Sequence, residues 1–96
     1  MKMPCVYINH GGGPLPLMGR YPGGEAGLDF LRNYIKTLPV RPKAILMVTA
    51  HWETAHPTVT GGVRHPLLFD YSGFPKETHE YTHDAPGSPE LAQKVL

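Results

Sequence analysis

Residues 44–50 (Ala-Ile-Leu-Met-Val-Thr-Ala) form a continuous apolar run instead of an alternating one. A strand with one wet face alternates polar and apolar side chains. A run that is apolar on both faces fits a strand covered on both sides, as in parallel sheets packed between helices. Residues 5–9 (Cys-Val-Tyr-Ile-Asn) make a shorter apolar, partly β-branched segment bounded by Pro4 and a glycine run, and also read as a buried strand. Between the two, Leu28, Leu31, Tyr34 or Ile35, and Leu38 recur at helical spacing, with Arg32, Asn33 and Lys36 opposite. Glu25 and Asp29 near the start and Lys36 near the end suit the helix dipole, and Pro39 stops the helix. Strand, helix and strand in that order predict an α/β fold with a partial mixed or parallel sheet built on a βαβ unit.

Farther along, Thr58–Thr60 is a candidate third strand, and the aromatic, irregular stretch 66–85 reads as a site-lining loop. Ser88-Pro89-Glu90 supplies an N-cap, a proline at the first helical position and an early acid, so a second helix is expected over Pro89–Leu96. A helix that short is marginal alone, and few strands with one crossover leave an apolar sheet edge open. The chain therefore reads as the N-terminal portion of a larger α/β domain.

Bulk properties narrow the partners. The chain has 96 residues and a net charge of +1, with Lys and Arg scattered, which argues against nucleic acid or an anionic membrane as partner. The longest apolar run is too short to span a bilayer, and the first residues lack the apolar core of a secretory signal, so a cytoplasmic protein is expected. Cys5 is the single cysteine, which excludes an internal disulfide and reads as an inert core residue. Nothing in the pattern specifies an oligomeric state.

His10 and His51 each follow an apolar run. Ligands of open α/β sheets bind at the carboxyl rim of the strands, so two imidazoles there are half of a transition-metal site. Neighbouring strands lie about 4.8 Å apart and metal–nitrogen bonds are roughly 2 Å, so same-rim side chains can reach one ion. Other readings stand beside this one. His10-Gly11-Gly12-Gly13 also fits the oxyanion loop of some lipases and esterases, but neither Ser72 nor Ser88 sits in a Gly-x-Ser-x-Gly elbow. No Gly-Lys-Ser/Thr follows, which removes a phosphate loop and leaves a flexible turn with an incidental histidine as the plain reading. After His51, Trp52 and Glu53 suggest an aromatic wall and a carboxylate that orients a ligand histidine, or simply a surface loop with a packed Trp. The other histidines are weaker candidates: His56 precedes Pro57 in a loop and His65 precedes Pro66, while His79 and His83 read as surface histidines because residues 77–84 show no amphipathic face. Tyr71, Phe74 and Tyr81 line a flat aromatic pocket or are plain packing.

Four blocks occur in order at fitting intervals: Val6-Tyr7-Ile8-Asn9-His10-Gly11-Gly12-Gly13-Pro14, Ile45-Leu46-Met47-Val48-Thr49-Ala50-His51-Trp52-Glu53, Asp70-Tyr71-Ser72-Gly73-Phe74-Pro75, and Ala85-Pro86-Gly87-Ser88-Pro89-Glu90-Leu91-Ala92. This pattern resembles the DODA-type class III extradiol ring-cleavage dioxygenases of the LigB-like superfamily, over nearly the whole chain. The resemblance implies a larger, cytosolic α/β domain that opens a catechol such as DOPA beside its diol with O2. It implies Fe(II) for activity, with Zn(II) able to occupy the same ligands without redox chemistry. By the same resemblance His10 and His51 are metal ligands, while a further ligand and an acid–base histidine come from the C-terminal half of such enzymes. Gly12, Gly13, Trp52, Glu53 and Phe74 are then expected around the ion or the substrate. The alternative is a truncated, catalytically inactive piece of that fold with weak metal binding at most.

Overall fold

In a computed structural model describing residues 2–96, the helix expected between the two apolar runs is present. It comprises α1, Gly24–Asn33, continued by a 3-10 turn over Tyr34–Thr37. Leu28 is buried and Leu31, Tyr34 and Leu38 are half-buried, the apolar face that the spacing predicts. On the polar side Arg32 donates to Glu25 Oε1 at 3.1 Å and to Asp29 Oδ1 at 3.2 Å. The Glu25 hydrogen bond leads in holding the guanidinium above its ordinary pKa, opposed by desolvation and aided by the charges of Glu25 and Asp29. The pair is exposed, so its contribution to stability is small. The Phe30 and Tyr34 rings, one helical turn apart, stand 5.3 Å apart. At the end of the turn Leu38 is extended (φ −76°, ψ 146°), the conformation a following proline imposes.

The chain divides into two compact units. The first, Met1–Leu46 with Asp70–Phe74, contains α1 and the glycine-rich loop after His10. The second, Met47–Phe69 with Pro75–Leu96, contains a two-residue antiparallel ladder and a second helix. In that ladder β1, Arg64–His65, pairs with β2, Ala85–Pro86, with Arg64 opposite Pro86 and His65 opposite Ala85. The Gly87 N–H extends it by donating to Val63 O at 2.8 Å, and Arg64 reaches Asp84 at 2.7 Å. Helix α2, Pro89–Val95, starts as expected: Ser88 Oγ accepts from the Leu91 N–H at 3.2 Å and Pro89 takes the first helical position. Ala92 is its buried residue. Between the strands, a 3-10 turn over Lys76–His79 buries Thr78, whose hydroxyl and N–H donate to Pro75 O at 2.6 and 2.9 Å. No helix among the described residues is long and apolar enough to cross a membrane.

The sheet differs from expectation. Residues 5–9, 44–50 and 58–60 form no strand, and among the described residues the only ladder is the antiparallel β1–β2 pair. The described residues are thus α/β in the coarse sense of two helices and a small antiparallel sheet, and among them there is no parallel sheet or βαβ unit. The cause is non-local. A strand makes its backbone hydrogen bonds to another strand, and an apolar run supplies side chains but no partner. Ile45, Leu46, Met47 and Val48 are consequently 69, 61, 74 and 88% exposed. Cys5, expected inside a strand, is exposed for the same reason.

Candidate functional site

His10 opens the glycine loop of the first unit. Gly11 (φ +74°) and Gly13 (φ +48°) both occupy the left-handed region that side-chain-bearing residues rarely adopt. Space is as restrictive as dihedral angle. A Cβ on Gly11 would lie 2.9 Å from Pro16 Cγ, and one on Gly13 would lie 2.9 Å from Phe74 Cε2. Phe74 in turn meets Tyr71 edge to face, with ring centroids 5.6 Å apart. The exposed Gly12 contributes its carbonyl, which accepts the Leu15 N–H at 2.9 Å and starts the 3-10 turn Leu15–Met18. Pro14, at the cap of this turn, is buried. Phe74 and Gly13, both expected near a site, are therefore brought together, and the ring sits where only a glycine permits it. Tyr21 was not foreseen from the sequence, yet its hydroxyl donates to the carbonyl of Asn9, directly before His10. Its one sequence signal is an aromatic residue placed just before the Pro22-Gly23-Gly24 entry to α1.

His51 belongs to the second unit, and its imidazole is exposed. Its N–H donates to Thr49 Oγ1 at 3.2 Å, a local bond that bends the backbone as it leaves the apolar run. Trp52 and Glu53 follow on the exposed surface, outside any helix or strand. Downstream, Thr54 Oγ1 donates to His56 O at 2.5 Å and Thr58 Oγ1 reaches the same carbonyl at 2.7 Å. These hydroxyl bonds tie 54–58 into a bend that leads into 58–60, where a strand was expected and none forms.

Stretch 66–85 is irregular apart from the 3-10 turn Lys76–His79 and Ala85 at the start of β2, and a shallow groove of about 290 Å³ is lined by Pro66, Leu67, Phe69, Tyr81, Thr82, His83 and Asp84. Phe69 packs against His79 in a tilted arrangement, ring centroids 5.5 Å apart, so His79 is engaged with an aromatic ring in this unit. The aromatics expected to share one wall are divided: Tyr71 and Phe74 lie in the first unit, Tyr81 in the second. Ser88, considered for a hydrolase elbow, spends its hydroxyl on capping α2.

The donor chemistry of His10 and His51 suits Fe(II) or Zn(II), since imidazole binds both. Among the described residues, however, no group of three or more His, Cys, Asp or Glu is assembled to hold an ion. The donor type fits, and the donor set within these residues is incomplete.

Comparison with known proteins gives an independent view. The chain is 44% identical to the dioxygenase tasH of Hapsidospora irregularis over 96% of its own length and 30% of that protein. It is 37% identical to a 4,5-DOPA dioxygenase extradiol of Escherichia coli (strain K12), over 99% of this chain and 33% of that one. A protein of the same name from Beta vulgaris is 36% identical over 93% of this chain and 32% of its own length. The chain thus spans about a third of the length of the curated relatives it matches. No family model matches it, and no solved structure does.

Proposed function

Because the chain belongs to the extradiol dioxygenase family of these relatives, we propose that it supplies part of the active site of an enzyme that opens the ring of a catechol such as DOPA with O2. One observation carries this reading: similarity of 36–44% identity that runs through 93–99% of the chain, across both histidine blocks and both downstream blocks.

In this reading His10 and His51 are the two ligands that the chain contributes, each as a neutral imidazole. A metal ion held there would supply a Lewis acid, and as Fe(II) a redox centre that Zn(II) lacks. The remaining roles fall to neighbours in sequence and space. Glu53 orients a ligand imidazole by accepting its second N–H, fixing tautomer and direction. Trp52 shields the same side from water. Gly13, lacking a side chain, admits the Phe74 ring, which forms part of the wall for a flat substrate ring, and Gly12 belongs to the same loop. A further ligand and the acid–base group come from outside these 96 residues, in the length that the relatives have in addition. That length also provides partner strands for 5–9 and 44–50, so the parallel βαβ arrangement belongs to the complete cytoplasmic domain.

The test is turnover by the full-length gene product. Loaded anaerobically with Fe(II) and then mixed with DOPA or a simple catechol in air, it consumes O2 and forms a coloured ring-opened semialdehyde. Absence of O2 uptake with every catechol tried, at full iron loading, overturns the proposal.

A second reading is favoured for the 96 residues in isolation. The exposure of Ile45–Val48 and the incomplete donor set describe a piece that is catalytically inactive alone and binds metal weakly at most.

A further inference from the structure

Tyr21 stands where three segments of the first unit meet. Its hydroxyl donates to the carbonyl of Asn9, the residue before His10. One edge of its ring faces Gly11, the residue after His10, where an added Cβ would lie 3.5 Å from Cδ1. The other edge lies against Gly27 of α1, where an added Cβ would lie 2.8 Å from Cδ2 and 2.2 Å from Pro22 O. The ring therefore fills a notch that exists because Gly27 carries no side chain, with its hydroxyl on the carbonyl before His10 and one edge facing the residue after it.

We propose that Tyr21 is a positioning residue for His10, a strut that ties the backbone flanking this histidine to helix α1. The proposal rests on the reading of His10 as a metal ligand, and adds the element that holds it. The physical need is plain. His10 is followed by three consecutive glycines, the residues that lose most conformational freedom on ordering. A ligand on such a loop is held to a productive direction only if groups outside the loop fix its backbone. The Tyr21 hydroxyl holds the Asn9 carbonyl while the ring, anchored in the Gly27 notch, faces Gly11 on the other side of His10. Tyr21 acts through the main chain and has no part in the reaction itself.

The variant that separates hydroxyl from ring is Tyr21→Phe, made in the full-length gene product. Without metal, backbone 15N relaxation is expected to show lower order from His10 to Gly13. Exchange of the Leu15 amide, which donates to Gly12 O, should quicken by about three- to tenfold, the worth of one hydrogen bond. Amides of α1 should be unchanged, which reports an intact fold. Zn2+ affinity should fall several-fold, with the 15N shifts of the His10 imidazole moving less on zinc addition than in the parent. Unchanged loop order and exchange overturn the role of Tyr21, as does equal zinc affinity in both proteins. If the parent takes up no zinc and its His10 shifts stay fixed, the ligand reading of His10 fails, and the positioning role fails with it. Loss of affinity without that reading failing is thus told apart by the parent protein alone.

Discussion

The six histidines divide by surroundings, and each class predicts its own response to substitution. His10→Ala or His51→Ala in the full-length gene product should reduce bound iron and ring-opening turnover to a few per cent or less, because each removes a proposed ligand. His79→Ala should leave turnover nearly unchanged, since this ring packs against Phe69; iron analysis and O2 uptake on the same preparations check both. A comparable loss at His79 would mean that the ligands were misassigned. Gly13 gives a stability prediction at the same scale. Alanine there must hold a φ of +48° and stand 2.9 Å from Phe74, so Gly13→Ala should destabilise by about 1–3 kcal/mol, read from the denaturant midpoint. Gly61→Ala, with open space and no positive φ, should be neutral or slightly stabilising. Equal effects at the two glycines would contradict the packing of Phe74 on the loop.

Among elements, the two helices were readable in advance and the sheet was not. Helix signals are local: Ser88, Pro89 and Glu90 specify the start of α2, and the periodic leucines with Pro39 specify the extent of α1 and its 3-10 continuation. Ser88→Ala should accordingly cost about 1 kcal/mol and fray the first turn of α2, visible as faster exchange of the Leu91 amide. Unaltered exchange there would remove the cap from the account. Strand pairing depends on residues remote in sequence, so the apolar run at 44–50 announced a buried strand without naming its neighbour. The β1–β2 ladder was equally hidden, because two residues joined across Arg64–Pro86 carry no periodicity. In the glycine loop, the glycines and Phe74 stood out as types, and Tyr21 did not, since its hydrogen bond to Asn9 exists only once the chain between them has turned through the glycines and Leu15–Met18.

At the scale of the whole molecule, Leu28 and Ala92 are the core among the described residues, together with the buried Thr78 and Pro14. That is too little burial to offset the entropy of ordering 96 residues, of which backbone alone costs roughly 1–2 kcal/mol each. The isolated segment should therefore bind a hydrophobic dye such as ANS strongly and melt without a cooperative transition, whereas the full-length product should do neither. A sharp calorimetric transition in the isolated segment would contradict this. The most direct check of the central claim, that His10 and His51 serve one metal ion, is an anaerobic Fe(II) titration of the full-length gene product and its two histidine-to-alanine variants. The account predicts one equivalent bound by the parent and a large loss of affinity in both variants. Parent-like binding in either one would contradict it.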